Sequence, residues 1–261
     1  NDGYEIKNNI KPNGLKAASV RSEQLYFKPL ISWSAVTSGS FACRYNYGGA
    51  LFDSGGSSLY INRYRFYILA LLNSKVGQYA LSLTNPTINF QPGDIAGIPL
   101  CLENIEKVEK KAETCVKIAQ IDWDSFERSW SFKAHPLVID RSKEDTNNVK
   151  ISEKSLKLSK IYEVWSEECD ERFYGLKNTE EELNRLFIDT YGLCDDVSFE
   201  VEEKNITANK ANLQRDIKGL ISYAVGCMFG RYSLDVPGLV YAGGEWDASK
   251  YKTFQADSDA I

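Results

Sequence analysis

The apolar residues of this chain change their spacing partway along it, and that change constrains the fold more than any other feature. Before Asn62 they alternate. In "SFACRYNY" (Ser40–Tyr47), Phe41, Cys43, Tyr45 and Tyr47 fall on one side and Ala42, Arg44 and Asn46 on the other, the period of two of a half-buried strand. Further short strands are read in "ALFDS" (Ala50–Ser54) and "SSLYI" (Ser57–Ile61), set apart by glycine turns, and in the run from Gln24, which Pro29 interrupts. After Asn62 the period is helical. Phe66, Ile68, Leu69, Leu72, Val76 and Tyr79 predict one helix of about four or five turns, stopped by Asn85-Pro86. Ile88 to Leu100 predicts a short strand, a turn and an extended exit.

Helical patterns dominate the remainder. Ile105, Val108, Ala112, Cys115 and Ala119 step by three and four. An aromatic, turn-prone stretch follows (Asp122–Leu137), then a polar loop, Asp140–Lys150. Leu158, Tyr162, Trp165, Cys169, Arg172, Leu176, Thr179, Leu183, Leu186 and Thr190 keep a heptad register that is imperfect at Arg172 and Thr179. Thr179 with Glu182 also fits a capping box that would start a new helix, and Gly192 fits a C-cap. A last helix sets Leu213, Ile217, Leu220, Ala224 and Met228 on one side. Strands first and helices after predict an α+β chain: a small mixed, β-rich domain over 1–100, a helical connector over 101–145 and an acidic helical domain over 146–261.

Charge divides along the same line. Residues 1–100 hold nine Lys or Arg and five Asp or Glu, a net of +4, whereas the remaining 22 basic and 31 acidic residues give −9. No acid occurs between Glu23 and Asp53. A basic, aromatic, acid-free strip fits a phosphate-facing surface, and it fits ordinary strand surface equally well. No apolar run is long enough to cross a bilayer and no signal peptide opens the chain, so a cytoplasmic protein with no membrane partner is expected. The opening "NDGYEIKNN", with Met228 the only methionine, reads as part of something longer. Six scattered cysteines without a C-x-x-C pair read as thiols in a reducing compartment, and a lone histidine gives zinc little support.

Three stretches invite a catalytic reading. "FDSGGS" looks like a serine-protease nucleophile at Ser54. The general base such a serine needs is nearly always histidine, and His135 lies far downstream, before Pro136, while Phe52 stands where those proteases carry glycine. Glycine turns are the better reading. "NPTI" at Asn85 approaches the Asn/Asp-Pro-Pro-aromatic loop of amino-group DNA methyltransferases, but Thr87 and Ile88 replace the second proline and the aromatic. No glycine-rich cofactor loop precedes it, and Asn85-Pro86 reads as a helix stop. The acids around Glu167 and Glu180 have lysines nearby and read as solvated helix faces. No catalytic residue and no metal site is therefore assigned.

A binding set remains: Lys28, Trp33, Ser34, Arg44, Tyr45, Asn46, Tyr47, Gly55, Arg63, Arg65 and Lys75. Arginine pairs with guanine or phosphate, asparagine with adenine, and tyrosine and serine hold phosphate oxygens. Glycine amides at 48, 49, 55 and 56 can form an anion nest.

"LLNSKVGQYALSLTNPTINFQPGDIAGIPL" resembles the target-recognition domains of adenine-specific DNA methyltransferases and of type I restriction specificity subunits. "DWDSFERSWSFKAHPL", "EELNRLFIDTYGL", "LISYAVGCMFGRYSLD" and "GLVYAGGEWD" resemble, in order, the C-terminal part of PglX-type methyltransferases of BREX phage-defence systems. The resemblance runs from about Phe27 to Phe254. It implies a parent enzyme that uses S-adenosylmethionine to methylate adenine in a short double-stranded DNA site, with the methylase domain upstream and no cofactor held here. Recognition domains vary, so no base contact transfers by residue, and the binding set above rests on side-chain chemistry alone. The alternative is a docking module for other defence-system proteins, with no DNA binding of its own.

Overall fold

The computed structural model describes residues 3–18, 20, 22–53, 55–138 and 157–256. Ser54 and the polar loop Asp140–Lys150 lie outside them. The fold is α+β: a short helix α1 (Tyr4–Asn8), strands β1 (Leu30–Ser34), β2 (Cys43–Asn46) and β3 (Gly56–Leu59), then helices α2 (Arg65–Asn73), α3 (Lys75–Thr84), α4 (Pro92–Ala96), α5 (Ile105–Asp124), α6 (Leu158–Tyr191) and α7 (Leu213–Met228). The chain forms two compact units, residues 1–112 with 183–199, and residues 113–182 with 200–261.

In the first unit the three strands form an antiparallel sheet in the order β2-β1-β3. β1 starts directly after Pro29, which has no amide hydrogen to give a ladder and is tolerated at a strand start. Ala50 to Asp53 of "ALFDS" form no strand. Asp53 instead turns the chain, Oδ1 accepting from Gly55 N at 2.9 Å and Gly56 N at 3.0 Å. Ile31, Trp33 and Cys43 are buried on the inner face. Trp33 donates its indole N–H to Phe90 O at 3.0 Å, and Phe41 packs edge-on to Phe90. Burial pushes the Cys43 thiol up to about 12.

The single helix expected after Asn62 is two. The chain leaves helical geometry at Ser74, whose ψ is 162°. Local bonds hold the break: Ser74 Oγ donates to Leu71 O and accepts from Gly77 N. Asn73 clips onto the edge of β2, accepting from Cys43 N and donating to Cys43 O. Lys75 N, at the start of α3, donates to the buried Asn184 of α6, whose amide also donates to Phe199 O. Asn85-Pro86 does end α3. Asn85 braces the following loop, with bonds to Thr87, Asn89 and Asp94, and α4 forms where only a turn was expected. Two tyrosine hydroxyls fix the extended exit. Tyr67 donates to Cys101 O at 2.5 Å and Tyr191 to Pro99 O at 2.6 Å.

The second unit is helical. α6 is continuous through Thr179, whose hydroxyl donates to Gly175 O inside the helix, so no new helix starts there. The helix ends before Gly192, which has a φ of +65° and supplies the expected left-handed cap. One core cluster holds Leu137, Trp165 and Cys169 with Ile217 and Leu220 against it, a second Phe173, Leu176, Val201, Ile206 and Ala208, and a third Phe132, Tyr223, Cys227 and Tyr232. On α7 the expected face is displaced. Leu213, Ala224 and Met228 are exposed, and Asp216, Tyr223, Gly226 and Cys227 are buried.

Glu180, half-buried on α6, has its carboxyl pushed up to about 7 by burial. A folded-state value above the unfolded one means that the stabilising contribution is complete below about pH 4.5 and is lost as pH rises through about 7. At roughly 1.4 kcal/mol per unit, with allowance for solvent screening, the loss is about 2 kcal/mol. Urea unfolding at pH 5 and pH 8 is expected to show it, and Glu180→Gln is expected to flatten the difference and to be the more stable protein at pH 8.

Candidate nucleic-acid interface

The sheet register decides which of the expected residues share a surface. Partners across β2-β1-β3 are Arg44, Ser32 and Ser58, then Cys43, Trp33 and Ser57, and Ser34 lies opposite Gly56. Directly paired residues lie on one face and successive residues on opposite faces. The outer face therefore carries Arg44, Ser32 and Ser58 in one row, Ser34 and Gly56 in the next, and Asn46 beside Leu30 on the other side. Trp33, Tyr45 and Ile31 belong to the inner face.

Of the expected set, Arg44 and Ser34 come together on this outer face and are exposed. Asn46 joins them half-buried, with its Oδ1 accepting from Gly48 N at 2.8 Å to shape the turn. Gly48 has a φ of +111°, and a side chain there would strike Phe27 O, so the turn requires glycine. Lys28 is exposed, its ammonium 5.6 Å from the centre of the Tyr60 ring. Arg63 is exposed in the turn before α2.

Four residues take structural places. Trp33 is in the core, with no free ring face to offer a base. Tyr45 lies against Tyr47 and Phe66. Arg65 donates from Nη1 to Tyr45 Oη at 3.0 Å, so its guanidinium is partly committed within the unit. Gly55 donates its amide to Asp53, as does Gly56, which fills the nest expected there with the chain's own carboxylate. Lys75 is half-buried at the start of α3, and Tyr47 is exposed. Sequence reasoning missed Ser32 and Ser58. Period-two alternation from Ser34 points to Ser32, whereas Ser58 joins it only through the register of β3 against β1.

Among the described residues no group of three or more His, Cys, Asp or Glu side chains is placed to hold a metal ion, and no helix is long and apolar enough to cross a membrane. The glycine pairs 48–49 and 55–56 border strands. Neither forms the strand-to-helix turn that a nucleotide-type cofactor uses.

Comparison with known proteins gives the class: over its whole length the chain matches part of PglX-type proteins. The particular relatives are the "Adenine-specific methyltransferase PglX" of Lacticaseibacillus casei (strain Zhang) and the "Adenine-specific methyltransferase BrxX" of Escherichia coli O9:H4 (strain HS). PglX is 42% identical over 264 residues, covering 100% of this chain and 21% of the relative. BrxX is 33% identical over 288 residues, covering 100% of this chain and 22% of the relative. The chain thus spans about a fifth of the length of these curated relatives. No family model matches it.

Proposed function

We propose that this chain is the DNA-recognition part of an adenine-specific DNA methyltransferase of the phage-defence type. The observation that carries the reading is the outer face of the sheet, where Arg44 and Ser34 are exposed among polar neighbours, in a chain related throughout to PglX and BrxX. In this proposal 1–100 grips double-stranded DNA, 101–145 connects, and 146–261 is the helical tail. Methyl transfer from S-adenosylmethionine is the work of a methylase domain elsewhere in the parent enzyme. The target adenine has to leave the base stack for that domain to reach it, so the role here is to hold the duplex in register.

The test is fluorescence anisotropy of the chain with mixed-sequence duplex DNA across a salt series. Binding that weakens steeply with salt is expected. No binding at low salt would overturn autonomous recognition. Arg63→Ala is expected to weaken binding by about threefold to tenfold, as for loss of one exposed phosphate contact.

A second reading, docking of another defence-system protein, is favoured by α7, where Ile221, Val225, Met228 and Phe229 are all exposed on one side of the helix. Exposed apolar stripes of this kind mark interaction surfaces. In that case Val225→Glu would abolish partner capture and leave DNA binding unchanged.

A further inference from the structure

We propose that the row Arg44–Ser32–Ser58 is a phosphate site, through which the sheet holds the DNA backbone rather than base edges. The inference rests on the reading of this chain as a DNA-recognition segment. Three strands contribute one residue each, at positions paired directly by the register. Neighbouring strands lie about 4.8 Å apart, so two hydroxyls on adjacent strands can reach two oxygens of one tetrahedral phosphate. The Arg44 guanidinium stands on the other side of Ser32 and supplies the charge.

The groups are available. Arg44 is exposed, and no carboxylate pairs with it among the described residues. Ser58 Oγ has only a long contact, 3.4 Å, to Gly56 O, well outside the usual range for a hydroxyl donor. Asp53, the nearest acid along the chain, is turned onto the Gly55 and Gly56 amides. A second cation, Lys28, stands at Tyr60, two residues beyond Ser58.

The side chains also favour phosphate over base. Serine hydroxyls both donate and accept, rotate freely, and do not discriminate between base edges. They are short, so the ligand must come down to the sheet surface. On a duplex the phosphate ridges arrive there before the groove floor does.

Two measurements separate this site from the wider DNA reading. In the first, inorganic phosphate is titrated into the isotopically labelled chain and followed by NMR. Shifts are expected at the Ser32, Arg44 and Ser58 amides and at Arg44 Nε, and Arg44→Ala should remove them. Shifts scattered elsewhere, or none, would overturn the site. In the second, duplexes of several sequences are bound across a salt series. Ser32→Ala/Ser58→Ala is expected to weaken all of them equally, by about threefold to tenfold, with an unchanged salt slope. Arg44→Ala should lower the slope by about one. Relaxed preference at a single base pair in Arg44→Ala would overturn the phosphate assignment and make Arg44 a base reader. If duplex binding persists with the row removed, the site falls and DNA recognition stands. If phosphate maps to the row and no duplex binds, DNA recognition falls and the anion site stands.

Discussion

Asp216→Ala is expected to lower the unfolding free energy by about 2–3 kcal/mol, as for leaving buried donors without their acceptor. The Asp216 side chain is almost wholly buried. Its carboxylate accepts from Trp165 Nε1 at 3.2 Å, from Asn212 N at 3.0 Å and from Arg215 Nε at 2.7 Å. Arg215 in turn reaches Asn209, which bonds the buried Asp122 through its backbone and its side-chain amide. One polar network therefore joins α5, α6, α7 and the loop before α7. Truncating Asp216 leaves the buried Trp165 indole N–H without its acceptor, and such an orphaned donor costs about 1–3 kcal/mol, whereas Arg215 keeps its bonds to Asn209 and Lys210. Asp216→Asn keeps the volume but points amide hydrogens at donors, and about half the loss is expected. Urea unfolding followed by tryptophan fluorescence checks both. A loss below about 1 kcal/mol for Asp216→Ala would show that the network is dispensable. Burial also holds the neighbouring His135 below its usual value. Its contribution is complete above about pH 6.5 and is lost as pH falls through the folded-state value, so acid should add to the damage in the Asp216 variants.

Gly77→Ala is expected to be the costliest single methyl in the first unit, about 3 kcal/mol or more. An added Cβ would collide with the Leu71 carbonyl oxygen and press on Leu72 Cα. Both are backbone atoms and cannot rotate away. Relief would push α3 off the end of α2, and with it the Ser74 cap and the bond from Lys75 N to Asn184. Backbone displacement in a packed interior typically costs 1–3 kcal/mol, and the lost bonds add to it. Gly93→Ala is the control, since nothing lies within 4 Å of its added carbon, and a change within about 0.5 kcal/mol is expected. Thermal unfolding of the two variants side by side makes the comparison. Equal midpoints would show that α2 and α3 part without strain.

These two positions mark where sequence stops being informative. The 3.6-residue period made the helices legible, but it continued through Ser74, where the chain breaks. The break is held partly by Asn184, 109 residues away, and no local pattern contains that partner. On α6 the heptad register held in part. Trp165, Cys169, Leu176 and Leu183 are buried on it, while Phe173 and Phe187 are buried one place along from the Arg172 and Leu186 that the heptad selects. On α7 apolar character picked Leu213 and Met228, whereas burial follows the hydrogen bonds of Asp216. In the sheet the alternation was legible. Trp33 beside Ser34, or Arg44 beside Tyr45, cannot face the same ligand from a regular strand. Applying that parity strictly would have put Trp33 inside and drawn Ser32 into the candidate site, whereas Ser58 needed the pairing of β3 with β1.

The division of α6 has a consequence for how the chain is made. Its last turns belong to the first unit and the rest to the second. Tyr67, fully buried, packs edge-on to Phe187 at 5.4 Å, and 120 residues separate the two in sequence. At a synthesis rate of about 5–20 residues per second, the ribosome delivers Phe187 roughly 6–24 s after Tyr67. For that interval the sheet and its first two long helices lack one wall, and a nascent chain released or stalled before residue 183 would carry an open apolar seam for chaperones and proteases to find.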